Sequence, residues 1–514
     1  MQIPSSLLHT MQEILSEDPD RNAVVFKGVR TSYGEISARS LALAEHLRGL
    51  GVKPGDNVAA LVTPRPEALV TLFGVWLTGA TWVGVNTRYK LEEQRKILAD
   101  CSADILISIT QSGGRDLTPD LSEHKAAGLR VLHIDTELWH GDLPSPTYQT
   151  DVASAWQAAV ERFDPQIPAV IIYTSGSTGQ PKGALITHAG LTFRSFTMAE
   201  DRFKNVEVRL ILDLPVNHIG ALASGVGLSL VTGGLMVMSE KFDPGFTLRA
   251  IEEEKLNVIV GVPAMMTRLV EHPWFDSTDF SSLRFVSWGA GPVSKRVLER
   301  LLQGTNAKLS QQYGMTESNG PIVYTPPTRD IEILMDTTGK PDRRLHIRVA
   351  DDDSTLPIDV EGEVQVKMPF PYAGYLNNPE ATAESFTSDG FLKTGDRARI
   401  RSDGYLVFSG RGKEMYKSGG FNIFPREVEI VLESHPSVRA AAVLGKDDPS
   451  WGQIGIAFVE LNKALNEVDI SDWCKARLAD FKVPKEVRIV DALPRTPIDK
   501  VDRVALADQL TGKA

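Results

Sequence analysis

The sequence predicts an α/β protein. A large N-terminal domain of two α/β layers plus a small β-rich unit precedes a small α+β C-terminal domain. Three observations carry this expectation. Strand-like and helix-like patterns alternate in two series before about residue 320; short strands and turns take over after about Pro326; and a compact α+β pattern follows residue 411. At 514 residues the chain is too long for one hydrophobic core and accommodates about two to four domains.

In the first series, Ser32 and Glu35 fit a reciprocal helix cap, Ile36, Leu43 and Leu47 are its apolar positions, and Gly49 and Gly51 stop it. Residues 58–62 read as a buried strand, 67–77 as a helix, 82–85 as a strand, 91–99 as a helix and 105–108 as a strand. The second series has strands at 210–212, 234–238, 258–262 and 285–288, with helical segments between. Such alternation implies parallel sheets covered on both faces. No repeat relates the two series. Strands at 363–367 and 405–408, with the turn Asp403-Gly404, form the β-rich unit. Helices at 426–432 and 470–478 then flank strands at 438–444 and 454–461. Gly410-Arg411-Gly412-Lys413 marks the boundary, so residues 1–410 form the N-terminal domain and 411–514 the C-terminal one, hinged near Lys413.

Composition excludes several classes. With 42% hydrophobic and 24% charged residues the chain is neither disordered nor collagen-like. A net charge of -11 speaks against broad nucleic-acid binding. Cys101 and Cys474 make no disulfide framework and fit no zinc spacing, which suits a cytoplasmic protein. No lysine or arginine precedes Arg21, so the start does not read as a signal peptide. The uncharged stretches 68–87 and 217–239 are long enough to span a membrane, but Gly, Ser and Thr interrupt both. Each reads as a buried helix, a turn and a buried strand, and no membrane span is expected.

The most informative segment is YTSGSTGQPKG at 173–183, directly after an apolar strand at 169–172. Thr174, Ser175, Gly176, Ser177, Thr178 and Gly179 can aim hydroxyls and backbone N–H groups at phosphate oxygens, and Lys182 adds a positive charge. It is not a Walker A loop, because Pro181 stands where that pattern needs Gly before Lys. A plain Gly/Ser turn is the alternative.

Further segments follow in order: SWGAGPVS at 287–294, QQYGMTES at 311–318, KTGD at 393–396, GRGKEMYKSGGFNIFPREVE at 410–429 and PRTPIDK at 494–500. With these, over roughly residues 20 to 505, the chain resembles the adenylate-forming superfamily of acyl-CoA synthetases, peptide-synthetase adenylation domains and firefly luciferase. Among them it looks most like an AMP-forming acyl-CoA synthetase. The resemblance implies two half-reactions. A carboxylate attacks the α-phosphate of ATP, giving acyl-adenylate and pyrophosphate, and the thiol of coenzyme A then displaces AMP. Both steps depend on aligning reactants and stabilising developing charge.

The resemblance also implies roles for residues. The loop Thr174 to Gly179 with Lys182, the segment Gly289-Ala290-Gly291, and Gln312, Tyr313, Gly314, Met315 and Thr316 would bind ATP or AMP. Glu317 would hold Mg²⁺ together with phosphate oxygens. Asp396 can accept both ribose hydroxyls, with Arg411 as a second contact to the sugar. Lys500 would bridge the carboxylate and the α-phosphate, and Thr174, Glu317 and His218 join it as catalytic candidates. Asp499 is a departure, since many members carry Gly before this lysine. His218 would gate an acyl pocket shared by Ala221, Leu222, Trp288, Gly314 and Met315. The small residues after His218 either leave room for a bulky apolar group or let a helix pack closely. Lys417, Gly419, Gly420, Trp451, Phe481 and Lys485 would face coenzyme A after rotation about Lys413. No basic cluster marks a second substrate carboxylate, which favours an apolar monocarboxylic acid with a medium-chain, alicyclic or aryl body. The expected partners are that acid, ATP and coenzyme A, with a homodimer admitted as an assembly. A free-standing enzyme loading a carrier-protein thiol is the nearest alternative, and a silent nucleotide- or acyl-binding protein the next.

Overall fold

The structure is a computed structural model, which describes residues 3–136, 151–161, 163–174, 181–411, 414–418, 421–448, 451–478, 482–496 and 499–511. The helix expected after Ser32 is Tyr33–Gly49, and both bonds of its cap are present. The Glu35 N–H donates to Ser32 Oγ at 3.1 Å and the Ser32 N–H to Glu35 Oε2 at 2.8 Å.

The first series builds a six-stranded sheet. Asn57–Leu61, Thr81–Val85, Ile105–Ser108, Arg130–His133 and Pro168–Thr174 run parallel in it, while Lys182–Thr187 pairs antiparallel at the edge. The second series builds a nine-stranded sheet with a parallel centre of Arg209–Leu212, Leu235–Met238, Val258–Gly261, Phe285–Trp288 and Lys308–Met315. The expectation of parallel sheets needs correction at the edges. Gly320–Tyr324 and Lys340–Pro341 turn back as antiparallel strands, and Val29–Ser32 pairs antiparallel with Asn22–Phe26. Asn22–Phe26 itself lies beside Leu235–Met238, so the start of the chain completes the second sheet and not the first.

Alternate residues of the central strands serve different cores. Leu210 and Leu212 belong to the large apolar cluster that also takes in the first sheet, whereas Ile211 faces a second cluster. Helices Pro244–Glu253, Pro263–Glu271 and Lys295–Gly304 contribute to that second cluster. A strand apolar on both faces requires cover on both, which is why helices flank this sheet. The β-rich unit is an antiparallel sheet of Ser354–Thr355, His346–Asp351, Gly362–Lys367, Leu392–Ile400 and Leu406–Arg411. Beyond it, Val438–Asp448, Gly452–Leu461 and Glu486–Val490 carry helices Pro425–Glu433, Glu467–Lys475 and Arg503–Thr511 around cores of their own. Arg439 reaches back to Glu271 of the large domain at 3.5 Å. No helix among the described residues is long and apolar enough to cross a membrane.

Candidate active site

The phosphate-loop candidate is the turn of an antiparallel hairpin. Thr174 and Lys182 are directly paired, and the Thr174 hydroxyl donates to the Lys182 carbonyl at 3.4 Å. The turn residues Ser175, Gly176, Ser177, Thr178 and Gly179 lie outside the described residues. Lys182 stands with its ammonium 5.3 Å from the centroid of the Tyr375 ring.

Glu317 sits in the tight connection between Lys308–Met315 and Gly320–Tyr324. That connection depends on Gly314, where a β-carbon would lie 2.1 Å from the Gly320 carbonyl oxygen. Thr316 and Glu317 are both buried. The Glu317 carboxylate takes a hydrogen bond at Oε1 from the Tyr375 hydroxyl at 2.7 Å. Burial, reinforced by the Glu317 charge, pushes the Tyr375 phenol above the usual range, so it stays a proton donor.

Ribose contacts would come from the β-rich unit. Asp396 and Arg411 are directly opposed on neighbouring strands. Asp396 is buried, and the Tyr313 hydroxyl donates to its Oδ2 at 2.8 Å. One bond therefore links the strand expected to bind the nucleotide to the carboxylate expected beside the sugar.

Gly289-Ala290-Gly291 leaves the end of Phe285–Trp288. Ala290 has φ of 70°, a conformation that costs an alanine about 1–2 kcal/mol. A β-carbon on Gly289 would come within 3.3 Å of the Gln312 carbonyl oxygen, so this segment lies directly against Gln312. Trp288 points the other way, into the second cluster, where its indole N–H has no partner among the described residues.

His218 caps the helix start at Ile219, its Nδ1 accepting the Gly220 N–H at 3.1 Å. That bond leaves Nε2 as the protonated nitrogen of the neutral ring. Burial, and then the positive charge of Lys500, push the imidazole down to about 4. The ring keeps some surface exposure, but protein surrounds it closely enough for desolvation to dominate. His218 is therefore neutral near pH 7. The helix continues through a π-turn at Leu222–Gly227. Ala221 and Leu222 are fully buried in the large cluster, and a β-carbon on Gly225 would meet Leu212 Cδ1 at 2.6 Å. Close helix packing accounts for Gly225, and Gly220 borders the His218 ring. Met315 packs against the edge of the large cluster, and Gly314 is exposed.

Lys500 follows a turn in which the Thr496 N–H donates to the Lys500 carbonyl at 2.7 Å. Asp499 occupies that turn with φ of 63°. Glycine takes this conformation without cost, and aspartate is among the few other residues that adopt it readily. The Asp499 carboxylate lies 3.8 Å from Arg495 Nε. The departure from glycine thus keeps the turn.

Of the residues expected to face coenzyme A, Trp451 is 43% exposed and Lys485 holds its ammonium 4.6 Å from the centre of that indole. Lys417 pairs through its backbone with Asn422. Gly419, Gly420, Phe481 and the hinge candidate Lys413 lie outside the described residues. Tyr375 escaped the sequence reading. Its only signal is Gly374-Tyr375 before the turn-forming Asn377-Asn378-Pro379, and a lone tyrosine there is indistinguishable from a packing aromatic.

Comparison with known proteins agrees with this geometry. The family model described as AMP-binding enzyme matches residues 11–376, and that of the AMP-binding enzyme C-terminal domain matches 427–500. The chain is 35% identical over 494 residues to a feruloyl-CoA synthase of Amycolatopsis, covering 94% of each. It is 32% identical over 514 residues to a methyl-dioxo-octahydroindenylpropanoyl:CoA ligase of Mycobacterium tuberculosis, covering 98% of each. Bacillus subtilis o-succinylbenzoate CoA synthetase, solved with its acyl-adenylate intermediate, superposes with a TM-score of 0.82 at 27% identity over 99% of both chains. The chain belongs to the AMP-binding enzymes of the adenylate-forming superfamily, among its acyl-CoA ligases.

Proposed function

We propose that this ligase activates an apolar monocarboxylic acid with a ring-bearing body, aryl or alicyclic, and passes it to coenzyme A. The observation that carries the reading is the Lys500 charge felt at His218. It supports a small-domain lysine turned toward the expected acyl site, the orientation that adenylation would use. The acid class rests on the absence of a basic cluster near His218 in the sequence and on the ring-bearing acyl groups in the names of the two relatives.

In this reading Lys500 holds the substrate carboxylate against the α-phosphate, and the Thr316 hydroxyl steadies an α-phosphate oxygen. Asp396, fixed by Tyr313, accepts the ribose hydroxyls and keeps the nucleotide in line. Neutral His218 borders the acyl group without adding a charge next to the reacting carboxylate. Glu317 fits a magnesium ion: it is a buried hard-oxygen donor, and among the described residues no lysine or arginine pairs with it. When bound, Mg²⁺ would neutralise phosphate charge as the carboxylate attacks. Rotation about Lys413 would then turn Lys417, Gly419 and Gly420 toward the adenylate, with Trp451 and Lys485 receiving the nucleotide of coenzyme A.

A panel of acids assayed for AMP release tests the reading. Cinnamate-like and fused-ring propanoic acids should outrank dicarboxylates and short aliphatic acids, with AMP and thioester formed in equal amounts. His218→Ala should reorder that ranking while leaving the KM for ATP within about threefold. A preference for dicarboxylates, or an unchanged ranking with lost ATP affinity, would show the pocket misplaced.

A further inference from the structure

The segment 373–376 forms a strap across the hairpin that bears the phosphate-loop candidate. The Ala373 N–H donates to the Leu185 carbonyl at 2.8 Å, the Leu185 N–H to Gly374 at 2.9 Å, and the Leu376 N–H to Gly183 at 2.8 Å. The Tyr375 N–H donates to Thr382 Oγ1 at 2.8 Å, which fixes the strap from its other side. The Glu317 turn is tied to the same stretch of chain, because Asn319 Nδ2 donates to the Phe370 carbonyl at 2.7 Å. Between these anchors, one ring touches both charges. The Tyr375 hydroxyl donates to Glu317 Oε1 at 2.7 Å, and the Lys182 ammonium lies 5.3 Å from the ring centroid. No other hydrogen bond to the Glu317 carboxylate is found among the described residues.

We propose that Tyr375 is the positioning residue of the nucleotide-bound cation: its hydroxyl fixes Glu317 through Oε1 and leaves Oε2 to the metal, while its ring seats Lys182. This rests on the assignment of Glu317 to the cation made above. A carboxylate on a rotatable side chain binds a cation well only when a neighbour fixes its orientation, and such partners typically contribute 10–100-fold to metal affinity. The ring contact adds that a single side chain sets the distance between the phosphate lysine and the carboxylate. Lys182 is expected to seat the phosphates whether or not the cation is present, so the two contacts of Tyr375 should separate experimentally.

The test uses the full chain with Mn²⁺ as the probe, titrated by electron paramagnetic resonance in the presence of α,β-methylene-ATP, whose carbon bridge keeps it from donating its adenylyl group. Tyr375→Phe keeps the ring and removes the hydroxyl. It should weaken Mn²⁺ binding roughly tenfold, while affinity for the metal-free nucleotide changes less than twofold. Activity should recover at high Mg²⁺. Tyr375→Leu removes the ring as well and should weaken metal-free nucleotide binding also. Glu317→Gln is the reference. If Glu317→Gln leaves Mn²⁺ binding unchanged, the cation is held elsewhere and both readings fail. If it weakens binding and Tyr375→Phe does not, Glu317 keeps its assignment and Tyr375 is overturned as its positioning residue. Unimpaired metal-free binding in Tyr375→Phe also reports that the variant is folded.

Discussion

Lys500→Ala should slow acid-dependent pyrophosphate exchange by roughly 10²–10³, the usual cost of removing one preorganised charge donor from a reacting centre. No other cation in the segment 494–500 can substitute: Arg495 donates to the Asp499 carbonyl at 3.1 Å and lies beside the Asp499 carboxylate. Given presynthesised acyl-adenylate, the variant should still form thioester at near the normal rate, because under the proposed rotation about Lys413 the second step would use another face of the small domain. A second signal distinguishes lost catalysis from lost folding. The Lys500 charge contributes to holding His218 at about 4, so its removal should raise the imidazole toward its ordinary value in an NMR titration. Burial remains the larger cause, so the shift should be partial. An unmoved His218 would mean that Lys500 does not face this site in solution.

Asp342→Ala should destabilise the large domain by about 3–5 kcal/mol, the range for removing one partner of a buried ion pair. Asp342 and Arg194 are fully buried and meet at 2.9 Å. The carboxylate also accepts the Tyr324 hydroxyl, the Arg344 N–H at 3.0 Å and Arg344 Nη1 at 3.2 Å. Alanine would leave Arg194 charged and without its carboxylate, beside an Arg202 whose own Nε and Nη1 have no hydrogen-bond partner among the described residues. Chemical denaturation measures the loss. Replacing both Arg194 and Asp342 with apolar residues of similar volume should cost less than Asp342→Ala alone. The pH dependence has a definite sign. Burial works to raise the Asp342 pKa, but the Tyr324 hydroxyl and Arg194 win and hold it below the ordinary value. Its contribution is therefore complete above the normal aspartate range and disappears as pH falls through the lowered value.

Local interactions were legible in the sequence and distant ones were not. The cap of Tyr33–Gly49 is written in Ser32 and Glu35 because both bonds close within one turn. The apolar run Ile105–Ser108 reads as a strand because its side chains are buried on both faces of a parallel sheet. The pairing of Asn22–Phe26 with Leu235–Met238 has no local signature, since nothing in either strand selects its partner. The site follows the same division. The residues of 311–318 and 494–500 were found because contiguous segments carry them. The contacts that matter for Tyr375 and Asp342 reach residues distant in the chain, Glu317 and Lys182 for one and Arg194 for the other, and a lone tyrosine or aspartate carries no pattern. Asp499 is instructive in the other direction: a departure in sequence proved conservative in backbone conformation.

Two-step ligation by this chain is tested most directly by exchange of labelled pyrophosphate into ATP, measured with a ring-bearing acid before coenzyme A is added and followed by a coenzyme A chase. Exchange should require the acid and Mg²⁺ but not coenzyme A, and the chase should convert enzyme-bound adenylate to thioester with one AMP released for each. Exchange that needs coenzyme A, or ADP as the nucleotide product, would contradict it.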